Sequence, residues 1–128
     1  MKRLWVSAAI LLFVALLSTG HLVLLHSITE HLTLLLTQAE EEVRAENWAA
    51  AESLTRQALE DWEHHDFYLH ATLPHKDTDS ILVGFHQALA YLEGSEKQSA
   101  EYAAANTQLI TQLCLLMEEE IPTLKNIL

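Results

Sequence analysis

The stretch that decides the fold is "MKRLWVSAAILLFVALLSTGHLVLL", Met1 to Leu25. Two cations open it, an uncharged apolar run follows from Leu4 to Leu17, Ser18-Thr19-Gly20-His21 interrupt, and the apolar run resumes to Leu25. A run ending at Leu17 has the length of a signal-peptide core, with Ser18 and Gly20 as small residues before a cut. A run continuing to Leu25 has the roughly 20 residues that a helix needs to cross a hydrocarbon layer. The apolar pattern does not stop at the would-be cut, which favours an uncleaved anchor over residues 1–26. No cysteine follows the run, which argues against a lipoprotein.

Working outward, Leu25, Ile28, Leu32, Leu35, Ala39 and Val43 recur at steps of three and four, so the same helix should continue well past the membrane. Lys2 and Arg3 should stay in the cytoplasm and the remainder, residues 27–128, should lie outside. All 18 acidic residues lie beyond residue 29, against only 7 Lys and Arg in the whole chain. A surface so acidic repels phosphate backbones and disfavours nucleic-acid binding. With one cysteine, Cys114, neither an internal disulfide nor a Cys-rich zinc site is available. Cys114 reads as a small packed thiol at the edge of a buried face.

Three helices are expected after the anchor. Asn47 is a suitable N-cap, and Trp48, Ala51, Thr55, Ala58, Trp62, His65 and Leu69 share one helical face up to the break imposed by Pro74. Asp79 can cap the next helix, Ile81, Leu82, Phe85, Leu89 and Leu92 form its inner stripe, and Gly94 closes it. Ser95 should cap the last, whose Tyr102, Leu109, Ile110, Leu113, Leu116 and Met117 point inward and which should stop at Pro122. The expected architecture is all-α: an N-terminal transmembrane helix extending into a small antiparallel bundle. "WAAAESLTRQALE" places its aromatic and alanines as a tetratricopeptide hairpin does. No second copy follows at a period near 34, so a peptide groove there is the weakest functional reading.

The stretch "WEHHDFYLH", Trp62 to His70, concentrates polar chemistry. Glu63, Asp66 and His70 fall on one stripe, and His75 or Asp79 lies just beyond Pro74, so a divalent cation could be held by Glu63, Asp66, His70 and His75. No H-E-x-x-H spacing is present, and a solvated, ion-paired flank accounts for the same residues. Asp61 precedes His65 and Asp66 precedes His70 by one turn, pairings that would favour charged imidazoles and make the domain responsive to pH. His65 is expected to be a hydrogen-bonded interface residue. Asn106, among inward residues, needs a buried partner, expected from the Trp62–His70 helix. No nucleophile with an adjacent base and no glycine-rich phosphate loop is present, so an enzyme is not expected. Apart from the divalent metal just described, no cofactor is expected. The apolar end, with Pro122, Leu124, Lys125, Ile127 and Leu128, should fold back on the core or else dock on a partner.

"MKRLW" before an apolar run, "WEHHDFYLH" ahead of a further histidine, "AANTQLITQL" and the closing "PTLKNIL" together resemble DUF4363, a small bacterial membrane-anchored family of unknown function. The resemblance runs from end to end. It implies a helical extracytoplasmic domain on one span, and association with a larger multi-span membrane protein of the YetF-like kind. It carries no catalytic residue. The expected role is therefore that of a non-enzymatic accessory or scaffold protein binding another membrane or envelope protein. A metal- or pH-sensing domain is the alternative.

Overall fold

A computed structural model of the protein describes residues 1–94 and 96–127, with side chains as far as Glu118. Five helices follow in order: α1 Lys2–Arg44, α2 Trp48–His64, α3 Asp66–Thr72, α4 His75–Glu93 and α5 Ser99–Ile127. No strand occurs among the described residues. Helix α1 packs on α2 and α5, and α4 packs on the same two, so four helices form a closed up-down-up-down ring with α3 prolonging α2.

Helix α1 has 43 residues and no break at Ser18-Thr19-Gly20-His21, which makes it about 64 Å long at 1.5 Å per residue. It changes character along its length. From Leu4 to Leu17 its large side chains lie open, Leu11 at 70% and Phe13 at 62% exposure, whereas Leu25, Leu32, Leu36 and Ala39 are all buried. With the apolar residues that follow up to Leu25, helix α1 is long and apolar enough to cross a bilayer. Two of its hydroxyls are bonded within the helix, Ser7 to the Arg3 carbonyl and Thr19 to that of Ala15, which lowers the cost of placing them in an apolar medium. In the second part every residue of the expected stripe (Leu25, Ile28, Leu32, Leu35, Ala39, Val43) is buried.

The turn after α1 is a Schellman motif. Asn47 N–H reaches the Glu42 carbonyl at 2.9 Å, Glu46 N–H reaches that of Val43 at 3.1 Å, and Glu46 takes a left-handed φ of 61°. Asn47 occupies the N-cap of α2, but its amide donates to Glu42 Oε2 at 2.8 Å instead of capping the helix.

Two clusters fill the core. The one next to the apolar segment centres on Leu25, Leu32, Trp62, Leu69, Phe85, Leu109 and Leu113. The distal one is built largely from small residues: Ala39, Ala51, Ala88 and Ala105 surround Tyr102 and Leu92. One alanine on each of the four helices lets the backbones approach, the property that the tetratricopeptide-like pattern of α2 encodes. Gly84 serves α4 and α5 in the same way, since a Cβ there would lie 3.1 Å from Leu109 Cδ1.

Several expected boundaries move. Helix α2 does not reach Pro74 unbroken: His65 leaves helical geometry at φ −98° and ψ 7°, and α3 starts anew at Asp66. The stop before Pro74 holds, with Leu73 extended as a residue preceding proline must be. Helix α4 begins at His75, with Pro74 at the N-cap position, and not at Asp79. Pro74, at φ −59° and ψ 132°, has no side-chain oxygen to cap the helix, and Asp79 lies inside its second turn. Leu82 is only half-buried on α4, and Gly94 ends that helix in an extended conformation. Helix α5 starts at Ser99; Ser95, the expected cap, lies outside the described residues. Pro122 does not end α5, which runs to Ile127. One internal proline removes one hydrogen bond at about 3 kcal/mol, which a long helix secured on its N-terminal side can carry.

Candidate functional site

Polar chemistry gathers at the end of the bundle from which the apolar segment leaves. Of the 8 histidines, all but His86 lie either on α1 between His21 and His31 or on the chain from His64 to His75. The antiparallel return of α2 and α3 along α1 brings the two groups together. His31 Nε2 meets Asp61 Oδ2 at 2.8 Å. Further along, the Tyr68 hydroxyl of α3 is hydrogen-bonded to His21 Nδ1, with the rings 5.6 Å apart.

His65 is half-buried, and its Nδ1–H donates to the Asp61 backbone carbonyl at 2.9 Å. It is thus the hydrogen-bonded histidine expected, but the acceptor is the backbone, because the Asp61 carboxylate turns to His31. The bond closes the last turn of α2, and the ring stands edge-on to that of His64, with centroids 5.4 Å apart.

The expected metal set is partly assembled. His70 Nε2–H donates to Asp66 Oδ1 at 2.9 Å, one turn back on α3. The other nitrogen of the same ring, Nδ1, lies 3.2 Å from Nδ1 of His75 at the start of α4. Thr78, buried, stands behind them with Oγ1 at 3.4 Å from His70 Nδ1 and donates to the His75 carbonyl at 3.0 Å. Asp66, His70 and His75 therefore form a chain carboxylate–imidazole–imidazole. The break at His65 leaves Glu63 on α2, outside this chain. No group of three or more His, Cys, Asp or Glu placed to hold one ion occurs among the described residues.

Asn106 is completely buried, as expected, but its partner is not on α2 or α3. Its amide donates to the Leu36 carbonyl of α1 at 3.0 Å, and its Oδ1 has no partner among the described residues. The bond joins α5 to α1 across the core. A second buried link joins α5 to α2: the Tyr102 hydroxyl donates at 2.7 Å to Thr55 Oγ1, which itself donates to the Ala51 carbonyl at 2.9 Å. Burial pushes the Tyr102 phenol above its ordinary range, against the smaller opposing effect of the Thr55 bond. Nothing in the residue pattern marked this pair, because Thr55 and Tyr102 each read as ordinary members of an inward stripe.

On the surface, Arg56 clamps α2 to α4, reaching Glu52 at 2.8 Å and Glu93 at 2.6 Å. These two hydrogen bonds raise its already high pKa. Cys114 is exposed, not packed. It lines a groove of about 460 Å³ between α1 and α5 with His26, Thr29, Thr33 and Met117. It points there because α5 crosses α1 with Leu113 and Leu116 inward, which leaves residue 114 on the rim. The side chains of Pro122, Leu124, Lys125 and Ile127, and all of Leu128, lie outside the described residues.

A helical bundle whose first helix prolongs a segment of membrane-crossing length, with most of its histidines near the junction, defines the class of this protein. Residues 21–127 match the family model described as "Domain of unknown function (DUF4363)", and the chain belongs to that family. The match starts at His21, the residue of α1 that meets Tyr68. Among curated proteins and solved structures no match is found.

Proposed function

We propose that the protein is a non-enzymatic, membrane-anchored accessory or scaffold protein. Its acidic helical bundle faces the outside of the cell membrane and binds another membrane or envelope protein. The observation that carries this reading is the continuity of α1, which passes from open apolar surface into the core with no linker. A bundle mounted in this way has a fixed height and tilt relative to the bilayer, which suits docking to a neighbour embedded in the same membrane. Lys2 and Arg3 favour a cytoplasmic N-terminus. An acidic surface complements a partner face rich in Lys and Arg, and the family resemblance suggests a multi-span protein of the YetF-like kind. Crosslinking in the native membrane, followed by identification of the attached chain, tests the proposal. A membrane or envelope protein should be captured, and recovery of the chain always alone would overturn it. Protease added to intact cells should cut the C-terminal half; protection of that half would overturn the topology.

A second reading, metal or proton sensing, is favoured by one specific geometry. Two imidazole ligands of a tetrahedral zinc ion, at about 2.0–2.1 Å from it, stand roughly 3.3 Å apart, and His70 Nδ1 and His75 Nδ1 are 3.2 Å apart. Asp66 on the far nitrogen of His70 is the kind of carboxylate that orients a ligating imidazole. Water or a partner's side chain would complete the shell, since Glu63 is not within the chain of contacts. Titration of the purified full-length protein with zinc should show saturable binding that is lost in His70→Ala and in His75→Ala. Identical titrations of all three proteins would remove this reading.

A further inference from the structure

Phe67, on α3, is 91% exposed, more than any other large apolar residue among those described except Met1. It follows Asp66 and precedes Tyr68 on a helix whose only buried residue is Leu69, so nothing in the fold accounts for it. Its height along α1 does. Tyr68 is bonded to His21, and a hydrocarbon layer of about 30 Å, measured from Arg3 at 1.5 Å per residue, ends near residue 23. The contact therefore places α3 at the outer edge of the apolar layer. Val23, 64% exposed, and Leu24, 39% exposed, continue the open apolar surface of α1 to the same height. Other open apolar side chains of the bundle, such as Leu34 and Val83, occur singly on helices that are otherwise well covered.

We propose that α3 rests on the outer leaflet, with Phe67 inserted at the boundary of headgroups and acyl chains and Tyr68 lying at headgroup level. An aromatic pair of this kind suits the interface, where an apolar ring and a polar hydroxyl are both satisfied. The bilayer thus becomes a second support for the bundle, besides α1, and α3 fixes the rotation of the bundle about α1. The occupant of this surface is lipid, because the surface is continuous with the apolar face of the membrane-crossing segment. The inference rests on the anchored reading given above.

The test uses the full chain in vesicles of phosphatidylcholine and phosphatidylglycerol. Single nitroxide labels are placed through Phe67→Cys, Leu12→Cys and Val83→Cys in a Cys114→Ser background, with folding checked by circular dichroism. Collision with oxygen, which concentrates in lipid, is compared with collision with a water-soluble nickel chelate. The label at 67 should show a several-fold preference for oxygen, as at 12, and the label at 83 the reverse. A label at 67 as open to nickel as that at 83, with 12 still in lipid, overturns this inference alone. Nickel access at 12 as well overturns the anchored reading together with it. A label at 67 shielded from both probes indicates contact with a second copy and also overturns the lipid assignment.

Discussion

The Thr55–Tyr102 pair gives the sharpest test of how the bundle is held together. The two residues lie 47 positions apart on α2 and α5, both fully buried, with the Tyr102 hydroxyl donating to Thr55 Oγ1. Their substitutions should not be symmetric. Tyr102→Phe removes one bond and leaves Thr55 bonded to the Ala51 carbonyl, a loss of about 1 kcal/mol. Thr55→Val, similar in shape, strands the phenol hydroxyl in the core, which costs about 2 kcal/mol. The double variant has no stranded group and should lose no more than about 1 kcal/mol. At roughly 4 °C per kcal/mol for a bundle of this size, the expected falls in Tm are about 4, 8 and at most 4 °C. The assay is thermal unfolding of the full chain in detergent, followed by emission of Trp62, which packs in the core with its ring 6.3 Å from that of Phe85. Trp5 and Trp48 report other regions, so each variant is compared with the wild type at the same wavelength. Additive losses, near 12 °C in the double variant, would refute the stranded-hydroxyl argument and show that the two side chains act through packing alone.

The remaining predictions concern the same tertiary contacts. Burial holds the Tyr102 phenol neutral to higher pH than in the unfolded chain. Its contribution to stability is therefore complete below the unfolded value near 10 and is lost as pH rises through the folded one. Alkaline unfolding curves should consequently be shallower in Tyr102→Phe than in wild type, and equal slopes would contradict this. Glu46 holds a left-handed φ at the end of α1, so Glu46→Gly should stabilise the bundle by about 0.5–1 kcal/mol, read as a Tm higher by a few degrees. At Gly84 the nearest neighbour of an added Cβ is the mobile end of Leu109. Gly84→Ala should therefore stay within about 1 kcal/mol of wild type, helped by the better helix propensity of alanine, whereas Gly84→Ile should lose about 2 kcal/mol by overpacking. Equal melting of these two variants would show that α4 and α5 are not in close contact at that point.

Much of the candidate site was readable in the sequence, and the misses have a common cause. The Asp66–His70 pair could be read because both residues ride on one helix, where a four-residue step fixes proximity. The meeting of His70 with His75 required only the tight turn at Pro74, which lies between them. The Asn106 bond could not be assigned, since its acceptor is a backbone carbonyl of α1, a group present at every position. Asp61 illustrates the same limit from the other side. Its carboxylate was expected to serve His65, four residues on, but the packing of α2 on α1 brings in His31, and the nearer histidine settles for a carbonyl. The exposure of Phe67 is not legible in the sequence, because Phe67 falls outside the period of the buried stripe that ends at Leu69.

What the sequence determined by itself was the set of helices, the stripes that they bury and the long apolar segment that opens the chain. Helical periodicity and apolar length are local quantities, and each is written in a run of consecutive residues. Which helix faces which, where α2 breaks, which buried hydroxyl or amide finds a partner, and at what height α3 lies along α1 were decided only by the tertiary structure. Those features depend on how four apolar stripes close upon one another, and the energy of that closure is shared among residues far apart in the chain.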